Sequence, residues 1–198
     1  MIPRLKIYLI RHGETAWSLS GQHTGRTDLP LTPHGEDAAR KLAPVLSAMT
    51  FTRVLTSPRQ RARQTCDLAG LGGFAAIESS LAEWDYGQYE GLRSSEIRLM
   101  NPQWNIWRDG CPAGETPAQI SDRAVKLIGR LSGLDGNVAL FSHGHFGRVL
   151  AARWIEMPIS LGQCLMLEPA SISILGFDAE LPPHRTICGW NAASFLAP

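Results

Sequence analysis

The stretch Leu9-Ile10-Arg11-His12-Gly13-Glu14-Thr15 has a counterpart at Leu140-Phe141-Ser142-His143-Gly144-His145, and the two together decide the fold. In each, a run of apolar residues ends on a histidine followed by a glycine. The apolar run reads as a buried strand. The glycine allows a sharp turn or a close approach between backbone and ligand. Beyond Gly144 the pattern becomes helical, with Val149, Leu150 and Trp154 on the apolar side, and a helix N-terminus favours an anion. Two strand–His–Gly junctions at strand ends point to one site, because ligands of open α/β sheets bind at the carboxyl ends of the strands.

Outward from these junctions, strands are predicted near residues 5–10, 53–56, 137–142 and 171–177. Thr32-Pro33-His34-Gly35-Glu36 is a helix start, with a Thr cap, a Pro in the first turn and an acid behind it, and the helix should reach about Met49. Ser57-Pro58 and Thr116-Pro117 repeat the signal, for helices ending near Gly70 and Leu131. Strands alternating with helices predict a single α/β domain over residues 1–198, a three-layer α/β/α sandwich on a mostly parallel sheet. Residues 84–115 fit neither period and hold Trp84, Trp104 and Trp107; they read as a long functional excursion over the sheet edge.

The 198 residues are 44% hydrophobic and 19% charged, with a net charge of +1, which argues against nucleic acid or an anionic membrane as the main partner. The apolar start of the chain suggests a signal peptide at first sight, but it leads straight into Arg11 without a small-residue cleavage site. The scattered cysteines, Cys66, Cys111, Cys164 and Cys188, suit reduced thiols and a cytoplasmic setting. The two strand-end histidines lack companions at metal-ligand spacing, so neither a metal nor a cofactor is expected. The apolar stretches Leu161–Leu167 and Ile172–Phe177 suit a homodimer contact and core strands equally well.

Two further segments carry chemistry. Thr56-Ser57-Pro58-Arg59-Gln60-Arg61-Ala62-Arg63 places three arginines at a helix start, where cations are disfavoured unless an anion joins them. Arg61 is the candidate ligand, while Arg59 and Arg63 read as solvent-facing. Leu81-Ala82-Glu83-Trp84-Asp85-Tyr86-Gly87-Gln88-Tyr89-Glu90-Gly91 embeds acids among aromatics. Such surroundings disfavour the charged form of a carboxyl group and suit a general acid.

The ordered set Arg-His-Gly, Ser-Pro-x-x-Arg-Ala, an acid before Tyr-Gly-x-x-Glu-Gly, and Ser-His-Gly resembles the histidine phosphatase superfamily, which includes the cofactor-dependent phosphoglycerate mutases. The resemblance implies a metal-independent phosphomonoesterase acting on a small phosphorylated metabolite. By it, His12 is the nucleophile, Arg11, Arg61 and His143 stabilise the phosphoryl group, and Glu83 is the proton donor, with Glu90 as the rival carboxylate. Ser18 stands where many members have Asn. The stretches Trp17–Gly25 and Trp104–Cys111 are similar to the branch containing sedoheptulose-1,7-bisphosphatase and small bacterial acid phosphatases. Thr24 and Gly25 resemble backbone donors to substrate, and Tyr86, His145 and Arg148 extend the pocket. Arg26, His23, Arg93 and Arg108 are candidates for a second anion site, with surface charge as the alternative.

A mutase would need an added basic segment after the acid, whereas Glu83 here leads directly into Tyr86-Gly87. A phosphate-binding scaffold would have lost a catalytic residue, yet Arg11, His12, Arg61, Glu83 and His143 are all present. Both alternatives are weaker than a phosphatase.

Overall fold

A computed structural model describes residues 5–180 and 182–192. Six strands, β1 Lys6–Arg11, β2 Arg53–Thr56, β3 Ala75–Ile77, β4 Asn137–Ser142, β5 Ile172–Phe177 and β6 Arg185–Ala192, form one sheet in the order β3-β2-β4-β1-β5-β6. β3, β2, β4 and β1 are parallel. β5 and β6 join antiparallel on the far side of β1.

Alternation along the central strands builds both faces. Ile7 and Leu9 of β1 and Val138 and Leu140 of β4 enter the larger core. Their neighbours Tyr8, Ile10, Ala139 and Phe141 enter the smaller one. The helices are α1 Ala16–Ser20, α2 Pro33–Arg40, α3 Ala43–Ser47, α4 Gln60–Leu68, α5 Ser94–Met100, α6 Ile106–Asp109, α7 Pro117–Leu131 and α8 Gly144–Trp154. α7 and α8 pack on the larger core, and Leu42, Leu46, Cys66 and Ala69 cover the smaller one. The sandwich is therefore as expected, on a sheet whose parallel part is extended by two antiparallel strands.

Three corrections have physical causes. The helix expected over 32–49 breaks at Lys41–Leu42, because Pro44 has no N–H for Arg40 and its ring would strike that carbonyl. α4 starts with Arg59 at its N-cap and no side-chain cap of its own. Ser57 is committed elsewhere, and Asp28 instead accepts the Gln60 N–H at 2.7 Å. Residues 84–115 do not run over the sheet edge: Trp84, Trp104 and Trp107 are buried in the larger core beside Ile120 and Phe146. The strand expected near 171–177 is present as β5, Ile172–Phe177, hydrogen-bonded on both sides, so of the two readings of that stretch the core strand holds.

Candidate active site

β1 and β4 lie in register from Lys6 to Arg11, so their C-terminal ends deliver His12 and His143 side by side. The His12 N–H donates to the Ser142 carbonyl at 2.9 Å, and the two imidazole centroids are 5.1 Å apart. Gly13 has an ordinary backbone conformation; what it supplies is closeness, since a Cβ there would sit 2.5 Å from the Gly35 carbonyl oxygen. That contact lets the start of α2 press against the turn after His12.

His12 is 5% exposed, with Nδ1 2.7 Å from the Gly13 carbonyl oxygen. A carbonyl only accepts, so Nδ1 carries the proton and Nε2 keeps its lone pair. Burial, and then the charges of Arg61 and Arg11, hold the ring well below the usual histidine pKa, so it is neutral.

His143 is oriented from both sides. Arg61 Nε donates to its Nδ1 at 3.2 Å, which makes Nε2 the protonated nitrogen; that donates to Ser57 Oγ at 2.7 Å. Arg61 is fully buried, and its remaining donors grip the carbonyls of Thr24, Gly25 and Thr27. Glu90 accepts the Gly25 and Thr27 N–H groups, both at 2.9 Å, so the 24–27 segment is clamped between a buried cation and a carboxylate.

Glu83 does not sit bare among aromatics. Oε1 accepts from the Phe146 and Trp84 N–H groups at 2.7 and 2.9 Å, and Oε2 from the His145 N–H at 3.0 Å. The Glu83 carboxyl group thus accepts from the otherwise unpaired backbone N–H groups in the first turn of α8. The segment bearing it is tied down by Arg123, which donates to the carbonyls of Ser80, Ala82 and Glu83 and pairs with Glu115.

A cleft of about 120 Å³ opens among these groups, lined by Arg11, His12, Ser18, Thr24, Glu83, Tyr86, Gly144, His145, Arg148 and Leu167. Eight of the residues singled out from sequence therefore share one wall. Arg61 and His143 stand behind it, and the Gly25 N–H is spent on Glu90 and so is not presented to a substrate. Arg11 is the main cation: it donates to the Leu167 carbonyl, while its buried Nε has no partner among the described residues. Gly144 makes room for it, since a Cβ would lie 3.3 Å from the guanidinium carbon.

Tyr86 OH and His145 Nδ1 are 2.8 Å apart, and burial above all pushes Tyr86 well above 10 and His145 well below 6.5. Arg148 donates to the Gly162 and Gln163 carbonyls and lies over Trp107. Ser18 spends its hydroxyl in the capping box of α1, and Thr24 Oγ1 donates to Gln22.

The family model of the histidine phosphatase superfamily, branch 1, matches residues 7–188. The chain belongs to this family. This histidine phosphatase is 42% identical over 177 residues to an acid phosphatase of Mycobacterium tuberculosis, covering 87% of each chain. It is 35% identical over 209 residues to the sedoheptulose 1,7-bisphosphatase of Saccharomyces cerevisiae, covering 89% of this chain and 76% of that one. The solved structure of an open-reading-frame product from M. tuberculosis superposes with a TM-score of 0.89 at 38% identity, covering 96% and 98% of the two chains. With these relatives, the histidine phosphatase is a phosphomonoester hydrolase.

Some of its residues had no sequence signal of their own. Ser57 reads as a helix cap but orients His143 instead. Arg123, on the face of α7, carries no motif, yet it fixes the segment before Glu83. Arg59, read as solvent-facing, is half-buried. Of the candidates for a second anion site, His23 is buried against Tyr86, Arg93 donates to the Ser20 carbonyl and Arg108 pairs with Asp109. Among the described residues, metal-ligand spacing occurs at Asp178, Glu180 and His184, in the β5–β6 connection and outside the cleft.

Proposed function

We propose that this phosphatase hydrolyses small phosphorylated metabolites through a phosphohistidine on His12. His12 Nε2 attacks phosphorus, the bond to the bridging oxygen breaks, and the leaving alkoxide takes a proton from Glu83. Water then attacks the phosphohistidine, Glu83 takes its proton, and the P–N bond breaks to release phosphate. The observation that carries this reading is the Nδ1 contact of His12 with Gly13, which leaves a neutral ring with Nε2 as a nucleophile.

Phosphoryl transfer depends on charge stabilisation more than on proton transfer. Arg11 faces the phosphoryl oxygens directly, and its planar fork can engage two of them. Arg61 and His143 act from behind His12: one holds positive charge close by, the other keeps its neighbour's ring in place. Tyr86, His145, Thr24, Ser18 and Arg148 form the wall against which the leaving group lies. The four free thiols support a cytoplasmic setting. Among the described residues, no helix is long and apolar enough to cross a membrane.

Hydrolysis of an aryl phosphate in excess chelator tests the reading. Wild type should release phosphate and His12→Ala should not; full activity in the variant would sink the mechanism.

A further inference from the structure

The backbone just before β5, residues 166–171, braces the end of β1 that carries Arg11 and His12. The Leu167 carbonyl accepts from Arg11 Nη1, and Leu167 itself lines the catalytic cleft. The Ala170 N–H donates to the Arg11 and His12 carbonyls, both at 3.1 Å, and the Arg11 N–H donates to the Ser171 carbonyl at 3.2 Å. Ala170 is buried and has a φ of 53°, a left-handed conformation that alanine rarely adopts. Such strain persists only where the surroundings over-determine the backbone. The hold from the other side comes from β6.

β6 reaches the segment through a bulge. Between the pairs Ile172–Ala192 and Ile174–Gly189, Ser173 of β5 stands opposite both Trp190 and Asn191 of β6. A bulge breaks the alternation of a strand and re-aims a side chain. Asn191 has a φ of 53°, which asparagine tolerates better than most residues, and its N–H donates to the buried Ser173 hydroxyl at 3.0 Å. Its Oδ1 accepts the Glu168 N–H at 2.7 Å, and the Trp190 indole N–H donates to the Met166 carbonyl. β6 therefore grips residues 166 and 168, and the end of β1 grips residues 170 and 171. Leu167 lies between the two grips of β6, with its carbonyl on Arg11.

Arg11 spends one donor on that carbonyl, and its buried Nε has no partner among the described residues. A guanidinium fork serves two phosphoryl oxygens only when its plane is fixed. A donor held in advance against developing charge is worth about 10²–10³ in rate. We propose that Asn191, on the bulge of β6, is a positioning residue for phosphoryl transfer. Through the Glu168 N–H it sets the Leu167 carbonyl, and through that carbonyl the plane of Arg11. Asn191 itself lies outside the wall of the cleft and touches no substrate. This rests on the phosphatase reading, in which Arg11 stabilises the phosphoryl group.

Three substitutions separate the hydrogen bond from the backbone. Asn191→Gly keeps the left-handed conformation and removes the acceptor, Asn191→Asp keeps both, and Arg11→Lys removes the fork. On an aryl phosphate, Asn191→Gly should lose roughly tenfold or more in kcat with KM little changed, and Asn191→Asp should recover most of the loss. In the Arg11→Lys background, Asn191→Gly should cost less than about twofold more, because both changes act on one interaction. A lower Tm with kcat of the folded protein unchanged would make Asn191 a structural residue and overturn the proposal. So would the same loss of kcat from Asn191→Gly with and without Arg11→Lys. Calorimetric binding of vanadate, which mimics five-coordinate phosphorus, needs no turnover and so separates this proposal from the phosphohistidine reading. Vanadate affinity that falls in Asn191→Gly, but not further when Arg11 is already Lys, supports the placement of Arg11 even if His12 carries no phosphoryl group. Vanadate affinity unchanged in Asn191→Gly refutes it.

Discussion

At the scale of single residues, the site depends on which nitrogen of each histidine holds the proton. His12 is set by Gly13, and His143 by Arg61 on one side and Ser57 on the other. Ser57→Ala would leave a buried N–H without its acceptor, at a cost of about 1–3 kcal/mol. We expect kcat on an aryl phosphate to fall roughly tenfold or more with KM little changed, and Ser57→Thr to recover part of it. Equal kcat in Ser57→Ala and wild type would show that the His143 orientation does not matter. His12, His143 and Glu83 were legible in the sequence because each stands at a strand end or within a motif of fixed order. Ser57 was legible as the wrong thing. A serine before a proline at a helix start has the signature of a cap, and only the register of β2 on β4 brings it to His143 instead.

Among elements, the 24–27 segment has no regular structure, yet it is among the best-anchored backbone near the site. Its carbonyls face Arg61 and its N–H groups face Glu90. Glu90→Gln would replace a charged acceptor of two N–H groups by a neutral one. Hydrogen bonds to charged groups contribute about 1.5–3 kcal/mol, so a Tm decrease of several degrees is expected. Thermal unfolding of the variant, together with kcat/KM, checks this, and an unchanged Tm would mean the clamp is not stabilising.

Sequence periodicity found the long strands and the capped helices, where a regular apolar face exists to be seen. It missed β3, three residues long, and β6, whose residues are half-exposed and do not alternate. It also read residues 84–115 as an edge excursion, because aromatic anchors in irregular backbone give no period even when they are buried.

In the molecule as a whole, four histidines, three buried and His145 half-buried, couple folding to pH. Burial holds His12, His143 and His145 well below the ordinary 6.5 and lowers His23 to about 4. Their native forms are neutral, whereas the unfolded chain takes up protons below about 6.5. In that window the unfolded state binds more protons, so stability rises with pH and is lost as pH falls. Each such histidine contributes a slope of up to about 1.4 kcal/mol per pH unit. Urea unfolding from pH 7.5 to 4.5 should show stability nearly flat at first and then falling steadily below pH 6.5. A flat profile down to pH 4.5 would mean these rings are charged in the folded protein. The same burial protects the nucleophile, since a neutral His12 stays competent on the acid side of neutrality.

The central claim is that the phosphoryl group passes through His12. The direct measurement is mass spectrometry of the enzyme quenched into alkali during turnover, where a phosphohistidine survives. The account predicts one phosphoryl group on the peptide containing His12 and none when His12 is replaced by Ala. Rapid turnover with no phosphoryl group on His12, or with the group on another side chain, would contradict it.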